Sequence, residues 1–240
     1  MYIIKLGMKN WTTEKGSRIY KVAGGHSNAY LVITAGHKLL IDTSSSAAYK
    51  TLKKNLEELS FGDKESDYII LTHSHYDHCQ NAAAIKDESG CSIIMSKEAE
   101  RSVAEGYTPI PSGTIPITKL IVSIGRKGPA KNLRYKPFNG NTLIDKKYRP
   151  FNDDSVEIIP TPGHSTDSMS IIVDKEIALV GDTMFGIFRK SIYPPFCDDT
   201  DGMIKSWYRL LKTECSLFLP GHGSAITRKR LENQYSKHNN

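Results

Sequence analysis

The stretch Thr72-His73-Ser74-His75-Tyr76-Asp77-His78 places four potential metal ligands within six residues, directly after an apolar run ending at Leu71. Neutral imidazole and carboxylate are the donors that divalent zinc and its neighbours take, at bond lengths of about 2.0 to 2.2 Å. On a helix only residues three or four apart share a face, so the i, i+2, i+4, i+5 spacing predicts an irregular turn leaving a buried strand. A fold that uses this stretch needs a rigid strand beneath it and further donors brought to it from elsewhere.

Three later stretches repeat that design with one donor each. Ile158-Ile159-Pro160-Thr161-Pro162-Gly163 leads to His164, Ala178-Leu179-Val180-Gly181 to Asp182, and Leu217-Phe218-Leu219-Pro220-Gly221 to His222. Glycine lets the backbone approach a site closely and proline stiffens the approach. Strand ends are where an α/β scaffold places its chemistry. One histidine after a strand is ordinarily structural, but five of the eight histidines stand in these ordered positions, leaving only His26, His37 and His238 outside them. His26, in Gly24-Gly25-His26-Ser27-Asn28, reads as a loop residue, with the lip of the pocket as the alternative.

The chain around these donors changes period. Runs at 2–6, 17–23, 29–34 and 38–42 read as consecutive, largely antiparallel strands separated by Gly24-Gly25 and Ala35-Gly36 turns. Helical spacing follows at Ala47, Leu52, Leu56 and Leu59 after a serine stretch able to cap. Then come a strand at 68–72, a helix at 80–88, a strand at 92–95 and a helix at 97–105 that Ser96 can cap. Residues 106–150 lack periodicity and read as an irregular insertion whose best-defined run is 115–124. Strands at 156–160, 169–173, 177–180 and 216–219 close the pattern, with helices near 203–212 and from 227.

A chain of 240 residues suits one domain with a substantial core. No apolar run reaches the roughly 18 residues of a spanning helix, and the apolar start is too short for a signal peptide. Cys79, Cys91, Cys197 and Cys215 form no paired motif, which fits reduced thiols. A cytoplasmic location and no membrane partner are therefore expected. The net charge of +6 is concentrated: between Lys119 and Arg149 nine bases, Lys119, Arg126, Lys127, Lys131, Arg134, Lys136, Lys146, Lys147 and Arg149, face the single acid Asp145. Such a field attracts an anionic small molecule, unless the segment is only a solvated surface.

The ordered set H-x-H-x-D-H, G-H, G-D-T and P-G-H-G resembles the motifs of the metallo-β-lactamase superfamily over roughly residues 29–223. The resemblance implies a four-layer αββα sandwich of two mixed β-sheets. It also implies two divalent ions, zinc before iron or manganese, with His73, His75 and His164 on one, Asp77, His78 and His222 on the other, and Asp182 between them. Asp77 and Asp182 would be the catalytic carboxylates, and Asp42 would support the ligand loop from behind. Two such ions share a water and present hydroxide to a carbonyl or phosphorus, which implies hydrolysis of an ester, thioester or lactone. A phosphodiesterase or nuclease drawing on the basic segment, or an iron oxygenase or redox protein, are the alternatives on the same site.

Departures from the family pattern narrow this. True β-lactamases have cysteine or serine where Asp182 stands. Glyoxalase II is similar through Gly181-Asp182-Thr183-Met184-Phe185 but continues into a helical glutathione-binding region, which the 18 residues after His222 are not expected to provide. Quorum-quenching lactonases carry a tyrosine where Phe185 stands, and the related flavin-partnered diiron proteins carry glutamate where His75 stands. Cys79-Gln80-Asn81 replaces a glycine-rich continuation common in the family.

Overall fold

The computed structural model describes residues 7–63, 67–125 and 133–238. The expected strand at 2–6 lies outside them, as do Arg126, Lys127 and Lys131. The described chain begins with β1 (Asn10–Thr12), β2 (Arg18–Ala23), β3 (Ala29–Ile33) and β4 (Lys38–Ile41), an antiparallel meander. Helix α1 (Tyr49–Glu58) crosses to β5 (Asp67–Ile70), which is parallel to β4. A four-residue helical turn, α2 (Tyr76–Cys79), and α3 (Ala82–Ser89) then lead to β6 (Ser92–Ser96), parallel to β5. Ser96 caps the turn that opens α4 (Glu100–Glu105), its Oγ accepting from the Glu98 N–H at 3.3 Å.

The insertion is more ordered than its sequence suggests. Helix α5 (Pro116–Gly125) occupies the apolar run, and β7 (Thr142–Ile144) pairs parallel with β6 as the seventh strand of the first sheet. At three residues β7 is too short to show a period, so only its partner reveals it.

The second sheet holds β8 (Val156–Pro160), β9 (Met169–Val173), β10 (Ile177–Gly186), β11 (Leu217–Gly223) and β12 (Ile226–Thr227), in the order β12-β11-β10-β9-β8. Helix α6 (Thr200–Leu211) starts where the Asp199 carboxylate accepts from the Gly202 N–H at 2.9 Å, and α7 (Arg228–Tyr235) follows β12. Strands β10 and β11 run past the predicted ends at 180 and 219, so Asp182 and His222 lie within paired strands and not in turns beyond them. Register shifts at 179/181 and 181/185 let the pair continue. Such irregularities re-aim side chains while keeping the backbone paired.

Alternation along the strands sorts the apolar residues. Val32, Leu39, Ile41, Ile70 and Ile94 face Val156, Ile158, Ile171, Val173 and Leu179 between the sheets. Their neighbours Leu31, Leu40, Ile69 and Ile93 face outward with Leu52, Leu56, Ile85 and Val103 of the helices. Ala178, Val180 and Phe218 of the second sheet pack on Met203, Trp207, Leu210 and Leu231. Two mixed sheets face to face with helices outside form the expected αββα sandwich.

The sheets are also fastened by polar contacts at one end. The Asn28 amide donates to the carbonyls of Pro220 and Gly223 at 2.9 and 3.1 Å, and the Tyr30 hydroxyl donates to Pro220 at 2.9 Å. The Asn28 N–H reaches the Gly221 carbonyl at 2.7 Å, and the Met169 N–H reaches that of Thr72 at 2.8 Å. Residues at the start of the first sheet thus hold the end of β11 that carries His222.

Candidate metal centre

The chain leaves β5 at Leu71, and the next seven residues are held from behind by Asp42. Its carboxylate accepts from the Thr72 N–H, the Thr72 hydroxyl and His78 Nδ1, each at 2.8 Å. The Thr72 hydroxyl, having given its proton to Asp42, accepts from His73 Nδ1 at 3.0 Å. That chain fixes the His73 tautomer and leaves Nε2 a bare lone pair. The ligand loop is irregular through His75 and helical from Tyr76, so Asp77 and His78 sit on one helical turn, where the spacing had predicted irregularity throughout.

Three more imidazoles have Nδ1 occupied on the outside. His164 Nδ1 bonds the Phe196 carbonyl at 2.8 Å, His222 Nδ1 bonds the His26 carbonyl at 2.6 Å, and His78 Nδ1 bonds Asp42. Their Nε2 atoms converge: His78 and His222 are 3.4 Å apart, and His164 Nε2 is 3.0 Å from Nδ1 of His75. Asp182 lies among them, Oδ1 3.3 Å from His78 and Oδ2 3.3 and 3.5 Å from His222 and His164. Asp77 Oδ2 stands 3.4 Å from His222. All seven sequence-derived candidates are buried and meet in one cluster.

Within that cluster three groups have donor atoms within 4.8 Å of one another: His73, His75 and His164; His73, His78 and Asp182; and Asp77, His78 and His222. The donor chemistry fits a divalent ion. His73 Nε2 and Asp182 Oδ1 are buried with no hydrogen-bond partner, a costly state for a polar atom unless a cation takes the lone pair. Imidazole nitrogens turned towards each other have the same explanation.

Electrostatics differ within the cluster. Burial, with His78 and His75 adding repulsion, holds the His73 imidazole well below the usual range, and burial with His164 lowers His75 to about 4. Burial also opposes charging His222, but Asp182 and Asp77 outweigh it and raise that imidazole to about 9. His78 is raised in the same way by Asp182, Asp77 and Asp42. Burial pushes Asp77 and Asp182 up, yet the surrounding imidazoles hold both well below the carboxylate range.

Glycine is required at two places. A Cβ on Gly221 would stand 2.5 Å from both Asp182 Oδ1 and His78 Cε1, and one on Gly181, at φ +47°, would stand 2.5 Å from Thr72 Oγ1.

Other residues of the site gave no sequence signal. Asp167 is buried and accepts from the Ser74 N–H at 2.7 Å. Thr108 donates to the Ser74 carbonyl at 2.7 Å. The departure Cys79-Gln80-Asn81 acquires a role: Cys79 Sγ lies 3.1 Å from the Ser74 carbonyl, and the Asn81 amide holds the carbonyls of Thr43 and Ser45 at 2.7 and 2.9 Å. Gln80 joins the Ser46 N–H to the Arg134 carbonyl, linking the loop to the insertion. His26 stands at the pocket lip, Nε2 3.4 Å from Asp77 and 3.2 Å from the Tyr76 hydroxyl. Phe185 stacks on His222 with ring centres 4.6 Å apart.

The basic segment is partly neutralised by acids outside it. Lys136 pairs with Asp87 at 2.6 Å, Lys147 with Glu157 at 2.8 Å, and Arg149 with Asp154 and Glu157 at 2.7 and 3.0 Å. Arg134 lies over the Tyr107 ring at 5.4 Å, beside the ligand loop, and forms no ion pair among the described residues.

A family model described as the metallo-beta-lactamase superfamily matches residues 22–222. A probable metallo-hydrolase of Methanocaldococcus jannaschii is 30% identical over 163 residues, 68% of this chain and 69% of that protein. A thioesterase of Emericella nidulans is 28% identical over 203 residues, 83% of this chain and 46% of that protein. The solved structure of a subclass B3 metallo-beta-lactamase from Bradyrhizobium japonicum superposes with a TM-score of 0.66 at 19% identity, covering 94% of this chain and 89% of that one.

Proposed function

The chain belongs to the metallo-β-lactamase superfamily, and from that premise we propose that it is a dinuclear zinc hydrolase cleaving an ester, thioester or lactone of an anionic small molecule in the cytoplasm. The observation that carries this reading is the convergence of seven donor side chains, with His73 Nε2 buried and without a hydrogen-bond partner and Asp182 Oδ1 meeting only the His78 imidazole at 3.3 Å. His73, His75 and His164 would hold one ion and Asp77, His78 and His222 the other, and Asp182, whose carboxylate lies within 3.5 Å of imidazoles from both sets, would be shared between them. Ions bound there supply a water of lowered pKa and polarise the group under attack.

The chain's own residues do the rest. Asp77 accepts a hydrogen bond at the pocket mouth and orients the attacking water. Nδ1 bonds from His78, His164 and His222 to fixed acceptors keep Nε2 aimed inward through turnover. Burial of the cluster excludes bulk water from the charges around it. Among the three bonds, the thioester is favoured by the thioesterase among the relatives, and the lactone is disfavoured because Phe185 offers no hydroxyl.

The test is a substrate panel of thioesters, lactones, phosphodiesters and β-lactams against protein reconstituted separately with zinc, manganese and iron. Thioester or ester turnover with two zinc ions per chain is expected. Phosphodiester turnover alone, or oxygen consumption only with iron, would replace this reading with one of the other two.

A further inference from the structure

The connection leaving β10 carries Ile187-Phe188-Arg189-Lys190, all exposed, with Ile187 55% and Phe188 42% accessible. It begins at the rim of the metal centre, two residues after the Phe185 ring that stacks on His222. Helix α7 fastens it from the other side. The Arg230 guanidinium donates to the carbonyls of Phe188 and Ser191, and the Gln234 amide donates to that of Lys190 at 3.2 Å. Between connection and helix lies an open basin of about 740 Å³ into which Arg189, Lys190, Lys229, Arg230 and Lys237 project, with no acidic residue in its lining. None of the five pairs with a carboxylate among the described residues.

The same connection seats a second apolar surface. Thr114 N–H donates to the Pro195 carbonyl at 3.0 Å and Gly113 bridges Phe196, so α5 starts against its far end. Ile117, Leu120, Ile121 and Ile124 of α5 are each half exposed or more, and Lys119 is exposed among them. Large exposed aliphatic side chains mark a surface that meets something apolar, and cations paired with no carboxylate beside them favour an anionic lipid boundary over a neutral one. An interfacial surface buries apolar residues among acyl chains while its bases meet anionic headgroups.

We propose that Ile187 and Phe188, with the basic basin beside them, dock the protein on an anionic lipid surface. The sequence predicts no membrane partner because it looks for a spanning segment, and among the described residues no helix is long and apolar enough to cross a membrane. Docking needs none. Nucleic acid would use the bases, but the exposed apolar residues are chiefly isoleucine and leucine, which offer neither stacking rings nor hydrogen bonds. The inference goes beyond the hydrolytic reading and does not depend on it, since its readout is binding of the metal-loaded protein whatever that protein turns over.

Co-sedimentation with phosphatidylcholine vesicles, with and without phosphatidylglycerol, tests it. Binding roughly tenfold or more tighter to the anionic vesicles, and weakening at high salt, is expected. Lys190→Glu with Lys229→Glu should remove that preference, and Ile187→Ser with Phe188→Ser should weaken binding at every lipid composition. Because either pair could disturb folding, Phe188→Trp gives an independent measure: its added emission should shift to the blue on anionic vesicles and be quenched by brominated acyl chains. Equal binding to neutral and anionic vesicles, no vesicle binding, or oligonucleotide binding that ignores Ile187 and Phe188 would each overturn the proposal.

Discussion

At the scale of single residues, removing one carboxylate from the metal centre should damage the chemistry far more than the fold. Asp182 is surrounded by His78, His164 and His222, so Asp182→Ala should cost at least about 100-fold in turnover, as loss of a bridging ligand. The sandwich core contains no contact to it, and the far-ultraviolet circular dichroism spectrum should be unchanged; turnover near wild type in the folded variant would remove the bridging assignment. Protons compete with metal at the same atoms. With its folded value raised to about 9 from an ordinary value near 6.5, His222 keeps its proton at pH 7 when no ion is bound. Loading must expel it, so metal affinity should rise with pH up to about 9, with proton release visible when titrations in two buffers of different ionisation enthalpy are compared. The sign for folding runs the other way: the charged imidazole stabilises the metal-free chain fully below about 6.5, and that contribution disappears as pH rises through 9. The donors were legible in the sequence because ligand chemistry limits them to a few residue types in fixed order. Asp167 and Thr108 were not, because a hydrogen bond to the Ser74 backbone can come from any polar residue at any separation.

At the scale of elements, the stretch Pro220-Gly221-His222 inside β11 shows what a ligand-bearing strand demands of its neighbours. Gly221→Ala places a methyl carbon 2.5 Å from Asp182 Oδ1 and His78 Cε1. The strain should cost about 1 to 3 kcal/mol of stability, but metal content measured after dialysis should fall more than the melting temperature suggests, since two donors must move. The strands read at 177–180 and 216–219 are in place but longer than read, because register shifts inside β10 and β11 interrupt the alternation by which strands are recognised, and the short β1, β7 and β12 show no alternation to read. The insertion was misread for another reason: β7 is defined by its pairing with β6 and α5 has an exposed apolar face, so neither shows the pattern of an ordinary buried element. Its basic residues divide accordingly. Lys136, Lys147 and Arg149 are paired and hold the insertion to the body, whereas Arg134 remains by the ligand loop. Arg134→Ala should therefore raise KM several-fold for an anionic ester, with little change for a small neutral one. An equal effect on both would make Arg134 structural.

At the scale of the whole molecule, the metal centre joins the two sheets. His73, His75, Asp77 and His78 follow β5 of the first sheet, while Asp182 and His222 lie in β10 and β11 of the second and His164 between β8 and β9. A metal ion bound across them would act as a cross-link present only in the folded state. At a hundredfold excess over the dissociation constant, one ion adds about 2.7 kcal/mol; for a chain of this size that raises the melting temperature by roughly 5 to 10 °C. Chelation should reverse this and zinc should restore it, as calorimetry can check; an unchanged melting temperature would mean that the centre binds no ion tightly. The sandwich itself could be anticipated through the family resemblance that the ordered motifs H-x-H-x-D-H, G-H, G-D-T and P-G-H-G carry, not through the period of the strands in its two sheets. The contact between their ends could not, since Asn28 and Tyr30 are separated in sequence from Pro220 by 192 and 190 residues.

That contact sets an order of events during synthesis. The loop of four donors is synthesised when two-thirds of the chain is still unmade, and the first sheet is complete once β7 has followed, but Asn28 and Tyr30 wait for the carbonyls of residues 220–223. A nascent chain short of residues 220–223 has neither the last histidine of the ligand set, His222, nor the latch that aligns it. Closure of the latch and completion of the ligand set are one event, so a translation product cut off before these residues carries an open seam that proteases can enter and an incomplete claim on the cell's metal.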